Sequence, residues 1–256
     1  MMGRPEDSEI EHRKALAIAQ KLADENPSLS DYAYLLAQTH LALGRLLQLS
    51  DRPAAAEPEF RAAVAILREL NEEFPAATRH PNGLAIAYDA LSDTMRRLGR
   101  FAEAKADCDR ALEVLERSRK GTTRPANSRD HPGYTLRHRA LALRDLGDLA
   151  AAVADARRAL SLYEGGKPES ATDWFEVACC HAVLADLAGR DGSGASAADA
   201  ASEAAAAMAL LKKAVEMGHR SAVAYRAESA LELLRHRDEF RLLMMDLTMP
   251  VDPFAR

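Results

Sequence analysis

Gly99-Arg-Phe-Ala-Glu-Ala-Lys-Ala-Asp-Cys-Asp-Arg-Ala-Leu112 is a glycine turn followed by a helix in which Ala104, Cys108 and Ala111 share one face. Two of those three side chains are small enough for another helix to come close. Forty-eight residues earlier the same slots hold Ala56, Phe60 and Ala63, and forty-eight residues later Ala152, Ala156 and Ala159. Gly99 maps forward onto Gly147 and backward onto Asp51. Three registers with one period identify internal repeats, units that bury their apolar faces only against their neighbours.

The composition fits such an array. Hydrophobic residues make up 48 % of the 256, charged residues 29 % and aromatics only 5 %. Alanine supplies much of the apolar share, which favours closely packed helices. No uncharged apolar run approaches the ~18 residues that would suggest a membrane span. The start, Met1-Met-Gly-Arg-Pro-Glu-Asp-Ser8, is polar and acidic and lacks the apolar core of a secretory signal. A cytoplasmic location is therefore expected. The net charge of −5 points away from nucleic acid as a partner. Cys108, Cys179 and Cys180 fall at helical positions that want a small buried residue, so they read as reduced packing groups. Adjacent helix positions point apart, which argues against a redox or metal pair at Cys179-Cys180.

Taken in order, residues 1–29 read as the second helix of an incomplete leading repeat. Arg13, Ala15, Ala17, Ile18, Leu22, Glu25 and Pro27 recur 48 positions on at Arg61, Ala63, Ala65, Ile66, Leu70, Glu73 and Pro75. A helix without its usual neighbour leaves an apolar face open, for docking or for a preceding piece of chain; a single-helix cap is the plainer account. Repeats then span 30–75, 76–124, 125–168 and 169–219, with a helical cap over 220–256, all in a single array over 1–256. Ser30 and Asp31 are good N-cap residues for the first full repeat. Pro53 suits a first helical turn, whereas Pro58 predicts a late start or a kink. The polar, basic connector Ser118–Gly133 reads as a surface loop.

In the first full repeat, Leu43-Gly44-x2-Leu47 is followed by Ala56-x3-Phe60-x2-Ala63. This resembles the tetratricopeptide repeat (TPR) family, whose pattern is Trp-x2-Leu-Gly-x2-Tyr, then Ala, Phe and Ala. Tyr88-x2-Leu91-Ser92-x2-Met95 and Trp174-x2-Val177-Ala178-x2-His181 resemble it too, with Ala207-x3-Leu211-x2-Ala214 closing the fourth unit after an insertion, Gly189–Ser196, that reads as a flexible linker. Trp174 and His181 are expected to pack. The third unit matches least well, since Arg139 stands where the family prefers Leu, and Arg137, His138, Arg139 and Arg144 make its first helix the most basic. The resemblance implies an all-α fold: an α-solenoid of antiparallel helix pairs, a TPR-like superhelix with repeats of about 48 residues. The cap is expected as two helices, Ala222–Leu234 and Glu239–Leu247. The phrases Leu231–Leu243 and Met249–Arg256 are similar to the end of TPR regions at the C-termini of large bacterial serine/threonine protein kinases.

The kinase chemistry is not among these residues. There is no Gly-x-Gly-x2-Gly loop, no Val-Ala-Ile-Lys and no Asp-Phe-Gly; His236-Arg-Asp238 lacks the Leu and Asn that should follow it. No His-Glu-x2-His, Cys-x2-Cys or Gly-x-Ser-x-Gly occurs, so no catalytic, cofactor or metal site is expected. What the resemblance implies is a non-catalytic module that binds a protein or peptide segment along the first helices of its repeats. On the alignment, Gln38, Leu41, Arg45, Asp89, Asp93, Arg96, Tyr134, Arg137, His138 and Phe175 should face that groove. The alternative is a structural subunit that self-associates through its exposed N-terminal helix.

Overall fold

A computed structural model describes residues 5–74, 79–119 and 132–249. Among these are eleven α-helices and one 3-10 helix, and no strand. The chain divides into two compact units, Met1–Asp130 and His131–Arg256. The first holds α1 (Pro5–Glu25), α2 (Ser30–Leu49), α3 (Pro53–Glu73), α4 (Arg79–Arg97) and α5 (Phe101–Arg119). The second holds α6 (Pro132–Leu146), α7 (Leu149–Gly165), α8 (Ala171–Leu187), α9 (Ala197–Glu216), α10 (Ala222–Ala227), the 3-10 helix Ser229–Leu234 and α11 (Asp238–Thr248). Most of the expected surface loop, residues 120–131, lies outside the described residues.

The helices pack in consecutive pairs: α2 with α3, α4 with α5, α6 with α7 and α8 with α9. Within each unit one pair stacks on the next, α3 against α4 and α7 against α8. This is the TPR-like solenoid expected from the sequence. The repeat period is written into the turns. Asp51, Gly99 and Gly147, which share one slot, all take positive φ, at 56°, 74° and 85°. Each ends a first helix the same way: the next residue's N–H reaches five residues back, Arg52 to Leu47 O, Arg100 to Met95 O and Asp148 to Leu143 O, at 3.0, 2.8 and 3.0 Å. Such a left-handed terminator satisfies carbonyls that the helix leaves open, and glycine fits it without a Cβ penalty.

The small-residue slots do what their size suggests. Ala56, Phe60, Ala63, Ala104, Cys108, Ala111, Ala152, Ala156 and Ala159 are all fully buried. Each second-helix central residue meets a small partner on the first helix. A Cβ on Gly44 would lie 2.6 Å from the Phe60 ring, so only glycine admits that aromatic. One period on, Ser92 Oγ sits 3.0 Å from Cys108 Sγ. A further period on, Ala140 and Ala156 take the two slots, both buried in one core.

Four local expectations need correction. Ser30 and Asp31 do not cap α2; they are its first residues, after Leu29. Asp31 favours the helix N-terminus there and pairs with Arg79. The helix α3 does not start late: it begins at Pro53 and runs through Pro58. Pro53 needs no donor in a first turn, and the burial of Ala56 and Phe60 holds the early turns in place. The Gly189–Ser196 stretch is a folded turn. Gly189 N–H donates to Ala195 O (3.1 Å), buried Ser193 accepts from Ala195 N–H (3.2 Å), and Gly189 takes φ +78° with no room for a Cβ against Ala197. The expected Ala222–Leu234 helix breaks at Glu228, which is extended (φ −70°, ψ 114°) between α10 and the 3-10 helix.

Candidate functional site

Within each unit the first helices approach one another, α2 to α4 and α6 to α8. The face they share is where a repeat array offers side chains from several units at once. In the second unit the 3-10 helix Ser229–Leu234 also lies against α8, extending that face. Its Leu231 and Leu234 are buried in one core with Phe175, Cys179 and Val183.

Arg137 of α6 is wholly enclosed at this junction. Its Nη1 donates to Glu228 Oε1 at 2.8 Å and its Nη2 to Glu176 Oε2 at 2.9 Å. Tyr134 adds its ring 5.2 Å from the guanidinium carbon. Burial works against the arginine's charge, but the two carboxylates hold it charged well beyond its ordinary range. Burial would likewise raise the carboxyl pKa of Glu228. Arg137, then His138 and the Ala230 N–H, outweigh that and bring it down to about 2. One guanidinium thus ties α6 to α8 and to the break before the 3-10 helix. That break has a reason: leaving helical geometry lets Glu228 Oε1 also accept from Ala230 N–H, at 2.9 Å.

Two turns along α6, the same face opens into a pocket of about 370 Å³ between α6, α8 and the 3-10 helix. Leu141, Val183, Ala230 and Leu233 give it apolar walls. Arg144 and Asp186 cross it as a fixed pair at 2.9 Å, with Asp145 on Arg144 (2.7 Å) and Arg190 on Asp186 (2.5 Å). Burial tends to lower the pKa of Arg144, but Asp145 and Asp186 raise it overall, so it stays charged. Glu232 and His236 stand exposed at the edge. The pocket therefore offers both charge signs, rigidly held, beside hydrocarbon.

The ten residues expected to face the groove divide evenly. Leu41, Asp89, Arg137, His138 and Phe175 are buried and present no free surface. Phe175 stacks on His219 with ring centroids 4.4 Å apart, and the Tyr134 ring lies 4.5 Å from that of His138. Gln38, Arg45, Asp93, Arg96 and Tyr134 are half-buried. In the first unit Asp93 joins α2 to α4, accepting from Gln48 (2.7 Å) and from Arg97 (2.8 Å). The basic helix α6 has its charge answered by carboxylates: Arg139 makes a two-bond fork to Asp155 at 2.7 and 2.8 Å.

Glu176, Glu228 and Asp186 were not anticipated from the sequence. Glu176 had a signal, a carboxylate amid the apolar run of α8; Glu228 had none, since its role depends on a break in the helix. Trp174 is half-buried against the core, with Lys213 Nζ 3.3 Å from its ring centroid. His181 pairs through Nδ1 with Glu203 at 2.6 Å. All three cysteines are free and buried, and burial pushes the Cys180 thiol up to about 12, far from a reactive thiolate. Among the described residues, no His, Cys, Asp and Glu group is placed to hold a metal, and no helix is long and apolar enough to cross a membrane.

The fold and these faces define an α-helical repeat protein. The tetratricopeptide repeat family model matches residues 84–132 and 134–165. Such repeats generally mediate protein–protein interaction. The structure is similar to that of BtubC (BKLC) from P. vanneervenii, with a TM-score of 0.61 and 18 % identity over 99 % of this chain and 96 % of that one. It is also similar to a thermophilic TPR protein in Thermus thermophilus, with a TM-score of 0.49 and 21 % identity over 89 % and 97 %. No curated protein sequence matches the chain.

Proposed function

We propose that this protein is a non-catalytic interaction module, regulatory or scaffolding, that binds an extended protein segment along the face of its first helices. The observation that carries this is the pocket between α6, α8 and the 3-10 helix. Its walls are apolar and its charges pre-set, so a ligand side chain that is part hydrocarbon and part polar loses little by ordering it. Half-buried Tyr134 belongs to the same first helix as the pocket, and Gln38, Arg45, Asp93 and Arg96 are the half-buried members of the expected set in the first unit. Selection from a displayed peptide library on the intact protein tests the reading. Peptides should be enriched whose binding falls in Leu233→Glu and survives Arg157→Glu on the outward side of α7. Enrichment indifferent to Leu233, or none, overturns it.

Self-association through α1 has its own support. Ile10 and Ile18 are 51 % and 62 % exposed, and Ala15 is exposed although its repeat-equivalent Ala63 is fully buried. If α1 is an interface, Ile10→Glu with Ile18→Glu turns a dimer into a monomer in light scattering; a monomer before substitution removes the idea. Kinship with kinase tails rests on the phrase Leu231–Leu243, and the coding sequence upstream of Met1 tests it. A cytoplasmic site is supported by three free, buried thiols.

A further inference from the structure

In the first unit α3 and α5 flank α4 without packing closely on each other. Between α3 and α5 this spacing opens a cleft of about 330 Å³, floored by Tyr88 and Leu91 of α4. Three arginines line it: Arg61 and Arg68 from α3 and Arg110 from α5, with Asp107 as the acid.

The donors are only partly spent. Arg61 gives Nε and Nη2 to Glu57 at 2.8 Å, and its Nη2 lies 3.6 Å from Glu103 on the cleft's flank. Arg110 gives Nη1 to Asp107 at 2.5 Å, which fixes the guanidinium against a nearly buried carboxylate. Arg68 makes no hydrogen bond or ion pair among the described residues. It is exposed, beside a Tyr88 that is 8 % exposed. Arg61, Arg68, Arg100 and Arg110 against Glu57, Glu103 and Asp107 leave the cluster one positive, with Arg68 the unpaired charge that meets the roughly −1.5 to −2 of a phosphate monoester. A flat carboxylate offers two oxygens to one fork, whereas a phosphate offers three to guanidiniums on two helices.

From these features we propose that the α3–α4–α5 cleft binds a phosphate monoester group. Its charge is delivered by Arg68 and the free edges of Arg61 and Arg110, and the rim of Tyr88 packs against the ester. The site is separate from the first-helix face and stands whether or not that face takes a peptide. Two sources share the chemistry: a phosphorylated side chain of a partner protein, or a small phosphorylated molecule.

The test is calorimetric titration of the full chain with phenyl phosphate, and with one peptide in phosphoserine and serine forms. Phenyl phosphate should bind, and Arg68→Ala should weaken it about tenfold, the usual scale for one charge-assisted bond. Arg68 holds nothing else in place, so the variant tests binding and not folding. Arg157→Ala, which removes an exposed arginine elsewhere, should change nothing. Tighter binding of the phosphoserine peptide than of phenyl phosphate assigns the site to a protein partner. Equal or weaker binding assigns it to a small molecule. Failure of phenyl phosphate to bind at millimolar concentration, or binding indifferent to Arg68, overturns the proposal.

Discussion

At the scale of single residues, helix spacing depends on matching one small side chain to one larger. Gly44 and Phe60 are the extreme pair, glycine facing an aromatic that is fully buried. Gly44→Ala would place a methyl where the ring lies. The ring cannot withdraw from a filled core without opening α2 from α3. The expected loss is about 1–3 kcal/mol, the usual cost of overpacking, read as a lower urea midpoint. The slot of Phe60 was legible from the sequence because the period aligns it with Cys108 and Ala156; that it faces Gly44 was shown only by the packed helices. Cys108 and the glycine turns were equally legible, since each is a local requirement repeated in register. Pro58 misled on where α3 begins because a proline rule considers one backbone bond, while buried Ala56 and Phe60 hold the early turns.

At the scale of elements, the second unit is held at one end by the Arg137 cluster. Glu228 has its carboxyl pKa drawn from an ordinary 4.5 to about 2. A carboxyl lowered on folding stabilises the folded state in full above its unfolded value. That contribution fades as the pH falls from about 4.5 towards 2. It amounts to on the order of 3 kcal/mol. Stability measured between pH 6 and pH 3 should therefore fall less steeply in Glu228→Gln than in the parent, although the variant starts lower. Equal slopes would mean that the ion pair carries no proton linkage. Arg137→Ala should do worse at neutral pH, by about 3–5 kcal/mol, because it strands two carboxylates away from water. Circular dichroism during thermal unfolding reads both.

At the scale of the molecule, stability in a repeat array is close to a sum of nearest-neighbour interfaces, so an element with fewer neighbours opens first. In the first unit α1 rests on α2, whereas α3 is packed by both α2 and α4. Amide exchange should accordingly be fastest in α1 and slowest along α3 and α4. Protection of α1 equal to that of α3 would mean something else covers it, and would favour the self-associating reading. Exchange measured over a range of protein concentrations separates the two, because a partner copy protects α1 only when it is abundant.

The sequence alone determined the helical class, the 48-residue period, the turn positions and the small-residue faces. Each is a short-range pattern: a helix face repeats every three or four residues, and a terminator needs one residue able to take positive φ. It could not determine which charged residues are surface and which are core. Arg137 read as a groove residue because its helix is basic, yet its partners are 39 and 91 residues away. Only tertiary structure brings Glu176 and Glu228 to it, and only there does a break at Glu228 make sense. The cleft of three arginines belongs to the same order of fact. Arg61 and Arg68 are two turns apart on one helix, but Arg110 joins them only once α5 has packed beside α4. Charge has no periodic requirement of its own, so its placement was decided by the packing of the apolar faces.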